Sequence, residues 1–413
     1  MTAPLYSTIQ GCRSCGSAEL EQVLDLGVTP LADRLLTDAT LQDPEPQCPL
    51  TVVFCKDCAL LQIRETVDPE VLFGHDYPYY SSVSPALMAH FKASVEEILS
   101  RRSLGPASLV LELASNDGYQ LKNYLQRGIP VLGVDPAEGP ARRAIEQGVD
   151  TRIAFFTHEY AKELAREGVA ADVIHANNVL AHVMDTNGFV AGIAALLKDD
   201  GEAVIECPYL KDLVEHCEFD TIYHQHLCYF SVTSLTALFK RHGLFLNRVA
   251  RTSIHGGSLR LFVEKIDRPQ ASVLELLEAE RAAGVDKLSY FAEFGSRVEH
   301  VRSSLRSLLD ELRGKGKRVA GYGAAAKSCT LMSYVGIDGK DIGYIVDRNE
   351  FKQGRYTPGN HLPIRPVELL LTDQPDYVLI LPWNFADEIM AQQSEYVAKG
   401  GKFILPIPEP RIA

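Results

Sequence analysis

The stretch Leu109-Val110-Leu111-Glu112-Leu113-Ala114-Ser115-Asn116-Asp117-Gly118 decides the fold. A short apolar run gives way to small and polar residues, as a buried strand does where it ends in a tight turn. The same pattern returns at Val131-Leu132-Gly133-Val134-Asp135, at Asp172-Val173-Ile174-His175-Ala176 and at Glu202-Ala203-Val204-Ile205-Glu206, each a helix length from the next. Such alternation predicts an α/β fold, a parallel sheet with crossover helices, and residues 259–264 form its expected late strand. Upstream, a helix near residues 84–102 leads into the sheet. Downstream, an amphipathic stretch over 272–313 reads as a helical bridge with a solvated charged face. A second α/β unit opens at Arg318-Val319-Ala320-Gly321-Tyr322-Gly323, with later strands at 342–347, 377–381 and 402–406. At about 150 residues per domain, 413 residues make two or three domains. The division predicted is 1–75, 76–270 and 271–413.

The first 75 residues differ in composition from the rest. Of nine cysteines, Cys12, Cys15, Cys48, Cys55 and Cys58 fall here. Cys12-Arg13-Ser14-Cys15 and Cys55-Lys56-Asp57-Cys58 are two Cys-x-x-Cys knuckles, which together supply the tetrahedral four-sulfur set that zinc prefers. A closed four-thiolate site has no position for water, so the zinc is expected to be structural. The long gap between the knuckles requires an excursive loop, and Cys48 is left with a packing role. The net charge of −13 argues against nucleic acid and anionic membranes as partners, which need a basic face. It does not exclude a single diphosphate held by local donors. No run of 18 apolar residues and no basic, apolar leader is present, so a cytoplasmic chain without membrane contact is expected. A monomer is the expected state.

The Glu112 to Gly118 segment resembles the first motif of class I S-adenosylmethionine-dependent methyltransferases. Ala114 and Asn116 stand where glycines are usual. Small residues let the chain turn sharply and bring its backbone close to the amino acid end of a cofactor. Glu112, Ala114, Asn116 and Gly118 are therefore candidate cofactor-binding residues. Asp135, at the next strand end, is placed either to bond a ribose diol or to cap the helix that follows Pro136. NAD and S-adenosyl-L-methionine both carry that diol, and the missing Gly-x-Gly-x-x-Gly favours the methyl donor. Asn177-Asn178-Val179-Leu180-Ala181-His182 matches the fourth-strand region of this fold. Asn177 and Asn178 face the cofactor crevice in this reading, and His182 either faces the reacting centre or is a core histidine.

Asp220-Thr221-Ile222-Tyr223-His224-Gln225-His226-Leu227-Cys228-Tyr229-Phe230 concentrates histidine and tyrosine. In an extended segment His224 and His226 would share a face. No third metal ligand of suitable spacing accompanies them, so proton transfer is the preferred reading. Tyr77-Pro78-Tyr79-Tyr80-Ser81-Ser82 forms an aromatic hinge, with Tyr77 and Tyr80 either bonding a substrate oxygen or packing. In the C-terminal unit, Gly321-Tyr322-Gly323-Ala324-Ala325-Ala326-Lys327-Ser328 presents backbone N–H groups and a lysine to an anion. Asp347 is a second strand-end acid. Ser253-Ile254-His255-Gly256-Gly257-Ser258-Leu259-Arg260 permits close approach through its glycine pair. Ordinary turn and packing duty is the alternative for each of these.

Taken together, Cys12-x-x-Cys15, Asp76-Tyr77-x-Tyr79-Tyr80-Ser81-Ser82, Asn177 to His182, Tyr223-His224-Gln225-His226 and Gly321 to Lys327 resemble the sugar C-methyltransferases of deoxysugar biosynthesis. The likeness is to C-3′-methyltransferases acting on dTDP-linked 4-keto deoxysugars. It implies a zinc-binding module, a class I methyltransferase Rossmann-like domain and a C-terminal Rossmann-like domain that binds the nucleotide sugar. It further implies abstraction of the C-3′ proton beside the C-4′ ketone, enolate formation and methyl transfer. His226 is then the expected base, with Tyr223, Tyr77 and His182 positioning the sugar or the enolate. The substrate-binding set is Tyr80, His255, Gly256, Arg260, Tyr322, Lys327 and Asp347. The family usually reads Tyr-His-Glu-His; Gln225 departs from it and cannot hold the charge with which a carboxylate would orient a histidine. Two rival readings are a NAD-dependent nucleotide-sugar oxidoreductase built on the Gly321 loop and a non-enzymatic zinc-bearing scaffold. The first leaves the Asn116 to Gly118 loop unexplained, and the second leaves the Tyr223 to His226 cluster unexplained.

Overall fold

The computed structural model describes residues 4–73 and 80–413. Its middle sheet runs Phe245–Thr252, Ser258–Glu264, Leu197–Pro208, Ala171–Asn177, Val110–Leu113, Val131–Asp135, Thr151–Ile153. From Leu197–Pro208 to Thr151–Ile153 neighbouring strands are parallel. Ser258–Glu264 lies antiparallel between Leu197–Pro208 and Phe245–Thr252. This is the class I methyltransferase arrangement that the resemblance implies. Val110–Leu113 is buried throughout, which is why it reads as an uninterrupted apolar run rather than an alternating one. Pro85–Arg101 covers one face: the Ser84 hydroxyl accepts the Leu87 N–H at 3.3 Å, and Val95 and Ile98 pack on Val110, Val173 and Val204.

Two strands of the middle sheet lie outside the sequence expectation. Thr151–Ile153 has three residues, two of them exposed. Phe245–Thr252 carries a register shift between Leu246 and Arg248, which disturbs its alternation. The expected bridge over 272–313 is two helices, Ala271–Ala283 and Phe294–Gly314. Gly284, at φ 77°, ends the first in the left-handed conformation that glycine adopts without steric cost.

The C-terminal sheet runs Ile364–Arg365, Ile345–Val346, Val319–Tyr322, Tyr377–Ile380, Lys402–Leu405, Arg411–Ile412, with only the last strand antiparallel. Its order reverses beside Val319–Tyr322, as the middle sheet's does beside Val110–Leu113; in open α/β sheets ligand crevices form at such switch points. In the N-terminal part, Leu20–Pro30 and Gln47–Cys55 form a long hairpin joined by Leu61–Ile63 and, from far along the chain, by Cys228–Tyr229. The excursion between the hairpin strands docks on the C-terminal part. Leu36 bridges Tyr356, Lys352 Nζ meets Asp33 at 3.4 Å, and the Tyr356 hydroxyl donates to Asp38 at 2.9 Å. Among the described residues no helix is long and apolar enough to cross a membrane.

Candidate active site and metal centre

The ligand atoms of Cys12, Cys15, Cys55 and Cys58 lie within 4.8 Å of one another, with Cys12–Cys58 and Cys15–Cys55 sulfur pairs at 3.5 Å. A tetrahedral zinc with bonds of about 2.3 Å puts its sulfurs about 3.8 Å apart, so the donor set fits. The supporting shell is built as well. Gln62 Nε2 reaches Cys12 Sγ at 3.2 Å, and Gln62 Oε1 accepts the Arg13 N–H at 3.0 Å. Cys48 lies apart, fully buried with Leu31 and Val67, and burial pushes its thiol up to about 12.

At the carboxyl edge of the middle sheet, Ala114, Asn116 and Asn178 all have left-handed backbones, at φ 56°, 50° and 53°. With Gly118 at φ 72° they form two sharp loops on either side of the switch point. Asp135 braces the first. Its Oδ2 accepts the Asn116 N–H and its Oδ1 the Ala137 N–H, both at 2.8 Å, while burial pushes its carboxyl up to about 6 against those donors. Glu112 lies beneath, fully buried. Burial raises its carboxyl well above the usual range despite hydrogen bonds from Tyr119 and Asn177, and among the described residues its Oε2 has no partner. A left-handed loop with buried acceptors at a switch point suits the α-ammonium group of S-adenosylmethionine, and its turned backbone N–H groups the α-carboxylate. Ser81 and Ser82 close over this loop, the first donating its N–H to Asn116 Oδ1 at 2.9 Å and the second its hydroxyl to Asp117.

The histidine segment is a turn, not the extended run on which His224 and His226 would share a face: the His226 N–H bonds the Tyr223 carbonyl at 2.8 Å. His224 is therefore sent to the N-terminal module, where its Nε2 donates to the Pro49 carbonyl at 2.9 Å. His226 turns the other way. Its Nδ1 lies 2.7 Å from the Thr221 carbonyl, which can only accept, so the proton sits on Nδ1. Nε2 is left as the acceptor for the Tyr223 hydroxyl at 2.9 Å. His182 meets the His226 ring edge-on at 4.7 Å, and burial pushes its imidazole down to about 4, with a hydrogen bond to the Gln225 backbone acting against it. Gln225 is buried, and its Nε2 has no hydrogen-bond partner among the described residues. An imidazole with a proton held on Nδ1, beside the His182 ring and a tyrosine hydroxyl, is suited to taking a proton from carbon through Nε2.

The remaining candidates are spread over several places. Tyr77 and the His255 side chain lie outside the described residues. Tyr80 stacks on Phe351 at 5.3 Å under the Arg143 guanidinium. Arg260 is engaged by Glu206 at 2.5 Å and Glu97 at 3.3 Å; burial would raise Glu206, but His90 and Arg260 outweigh it and hold that carboxylate below its ordinary range. Gly256 passes over Glu218, where a Cβ would meet both carboxylate oxygens at 2.9 Å. Tyr322 is buried among Ala320, Val346 and Leu370. Asp347 repeats the device of Asp135, its two oxygens accepting the Ala324 and Asn349 N–H groups at 2.8 Å. Lys327 bonds Asn384, lies 4.1 Å over the Trp383 ring and is lowered by burial, with Asp220 and Glu218 opposing. The sequence reading missed Glu218, Trp383 and the Thr221 carbonyl. A backbone acceptor has no sequence signature, and a lone tryptophan opening the short 3-10 turn Trp383–Phe385 carries no spacing to read.

Comparison with known proteins accords with this geometry. Family models match for a zinc binding domain over residues 12–73, a methyltransferase domain over 88–247 and a C-methyltransferase C-terminal domain over 253–408. The C-methyltransferase NovU of Streptomyces niveus is 38% identical over 98% of this chain and 97% of its own length. Solved structures with partial likeness include magnesium protoporphyrin IX methyltransferase from Synechocystis PCC 6803 with bound SAM, at 15% identity, 43% of this chain, 79% of that one and TM-score 0.33. Another is the PH0226 protein of Pyrococcus horikoshii, at 16%, 46%, 96% and 0.36. With scores this low, the fold rests on the strand order described above. The chain is an S-adenosylmethionine-dependent methyltransferase with a four-cysteine zinc site, and it belongs to the C-methyltransferase family that includes NovU.

Proposed function

We propose that the chain methylates a carbon flanking the C-4′ ketone of a dTDP-linked deoxysugar, with C-3′ the position that the resemblance implies. The observation that carries this reading is the His226 constellation: an imidazole with its proton fixed on Nδ1 by Thr221 and its basic Nε2 beside the Tyr223 hydroxyl. A ketone acidifies the hydrogens on its neighbouring carbons. His226 Nε2 takes one of them, the electron pair moves onto the ketone oxygen, and the Tyr223 hydroxyl donates to that oxygen as charge develops. Positioned proton abstraction typically contributes about 10²–10⁴-fold, and an oriented donor a comparable factor. When bound, S-adenosylmethionine supplies the electrophilic methyl that the enolate carbon captures. Ala114, Asn116, Gly118, Asp135, Asn177 and Asn178 hold that donor in this reading, beneath Ser81 and Ser82.

Support for a nucleotide-sugar substrate comes from the C-terminal sheet, where a strand-end acid braces a glycine- and alanine-rich loop at a switch point, as in the middle sheet. Lys327, already engaged by Asn384, contributes there mainly to the joint between the two parts. The test is incubation with labelled S-adenosylmethionine and a dTDP-4-keto-6-deoxysugar, with the product located by NMR. Methyl at C-3′ supports the reading as stated. Methyl at C-5′ overturns the position but not the chemistry, and methyl on oxygen overturns the chemistry.

A further inference from the structure

Every part of the chain grips the short turn that carries His226. From the N-terminal module, Pro49 accepts from His224 and the Ile63 N–H donates to the Leu227 carbonyl at 3.0 Å. From the middle sheet's loop, the Ala181 carbonyl accepts the Leu227 N–H at 2.7 Å. From the C-terminal part come two bonds on either side of one peptide. Trp383 Nε1 donates to Asp220 Oδ2 at 2.8 Å, and the Thr330 hydroxyl donates to the Ile222 carbonyl at 2.7 Å. Between Asp220 and Ile222 stands Thr221, whose carbonyl fixes the His226 tautomer. Thr330 and the Asp220 side chain are buried, so neither bond has water as a ready substitute.

We propose that Thr330 and Trp383 are positioning residues: by clamping Ile222 and Asp220 they hold the Thr221 carbonyl on His226 Nδ1. The proposal rests on the reading of His226 as the base. Both residues sit at the C-terminal switch point, Thr330 on the helix Ala326–Val335 after Val319–Tyr322, and Trp383 after Tyr377–Ile380. The aim of the base is therefore set by the part of the chain proposed to hold the nucleotide. The Lys327 ammonium over the Trp383 face steadies the indole.

The test compares Thr330→Val, Thr330→Ser, Trp383→Phe and His226→Asn with the wild type, using a dTDP-4-keto-6-deoxysugar and S-adenosylmethionine. Calorimetric binding of S-adenosylhomocysteine reports an intact middle sheet. Thr330→Val and Trp383→Phe are each expected to lower kcat between about 10- and 100-fold, the scale of a misaimed catalytic group, with S-adenosylhomocysteine affinity unchanged. An imidazolium that loses the Thr221 acceptor is less stable, so the acidic limb of kcat/KM against pH should move to lower pH. The His226 ring also faces His182, Tyr223 and Tyr229, which these variants retain. Thr330→Ser, which keeps the hydroxyl, should restore both rate and limb. Wild-type kcat and pH profile in Thr330→Val and Trp383→Phe, with His226→Asn inactive, overturn the positioning role alone. Wild-type turnover in His226→Asn overturns the base and this proposal with it. Equal loss of S-adenosylhomocysteine binding shows general disruption and also overturns the proposal. Should Thr330→Val fail to fold, Trp383→Phe decides.

Discussion

Ala114 stands where a glycine is usual and holds φ 56°, a conformation that costs an L-residue about 1–2 kcal/mol. Ala114→Gly should therefore raise stability by about 1 kcal/mol and keep S-adenosylhomocysteine affinity, while the β-branched Ala114→Val should lower both; thermal unfolding and calorimetry read the two effects. Glu218 gives a pH signature. Burial lifts its carboxyl to about 8, with Asp220 adding to the rise, whereas the unfolded chain ionises near the ordinary glutamate range. Between those values the folded state holds a proton that the unfolded state has lost, so stability falls as pH rises towards 8. Glu218→Gln should leave the unfolding midpoint nearly unchanged at pH 4.5 and raise it at pH 9, and an equal effect at both would contradict the assignment. At this scale the sequence was legible where side chains carry the chemistry: four cysteines, the small residues after Val110–Leu113, and the histidines near Tyr223. It was opaque where a backbone carbonyl is the partner, as at Thr221, or where partners are far apart, as Trp383 and Asp220 are at a separation of 163 positions.

Elements were legible in proportion to their burial. The four inner parallel strands of the middle sheet, Leu197–Pro208, Ala171–Asn177, Val110–Leu113 and Val131–Asp135, declare themselves as apolar runs, because both faces are covered. The short edge strand Thr151–Ile153 and the bulged Phe245–Thr252 do not, since exposure and a register shift blur the pattern. The histidine segment shows the same limit. Its composition pointed to proton transfer, but only the turn at Tyr223 to His226 reveals that its two histidines part company. The Gly256-Gly257 pair has a clearer physical demand. Gly257 sits at φ 143°, and a Cβ there would lie 2.1 Å from Asp212 Oδ2. Gly257→Ala should lower the unfolding midpoint well beyond Gly339→Ala, which adds its Cβ to open space. Equal midpoints would show that the turn relaxes freely.

The whole molecule is tied together at one turn. The zinc hairpin reaches it through Leu61–Ile63 and Cys228–Tyr229, and the C-terminal sheet reaches it through Thr330 and Trp383. The cysteine site is thus joined to the proposed base through the strands that pack on its turn. Cys15→Ser, or stripping zinc with a chelator, should abolish turnover while S-adenosylhomocysteine still binds the middle sheet; undiminished turnover in the zinc-free protein would deny that link. The acidic balance and the excursive loop were readable in the sequence. The convergence was not, because it depends on contacts between parts that the chain order keeps distant. The most direct test of the central claim is exchange of solvent deuterium into a dTDP-4-keto-6-deoxysugar, followed by NMR with S-adenosylhomocysteine in place of the methyl donor. The wild type should wash deuterium into the carbon next to the ketone, and His226→Asn should not. Equal exchange in both proteins, or none in the wild type, would contradict proton abstraction by His226.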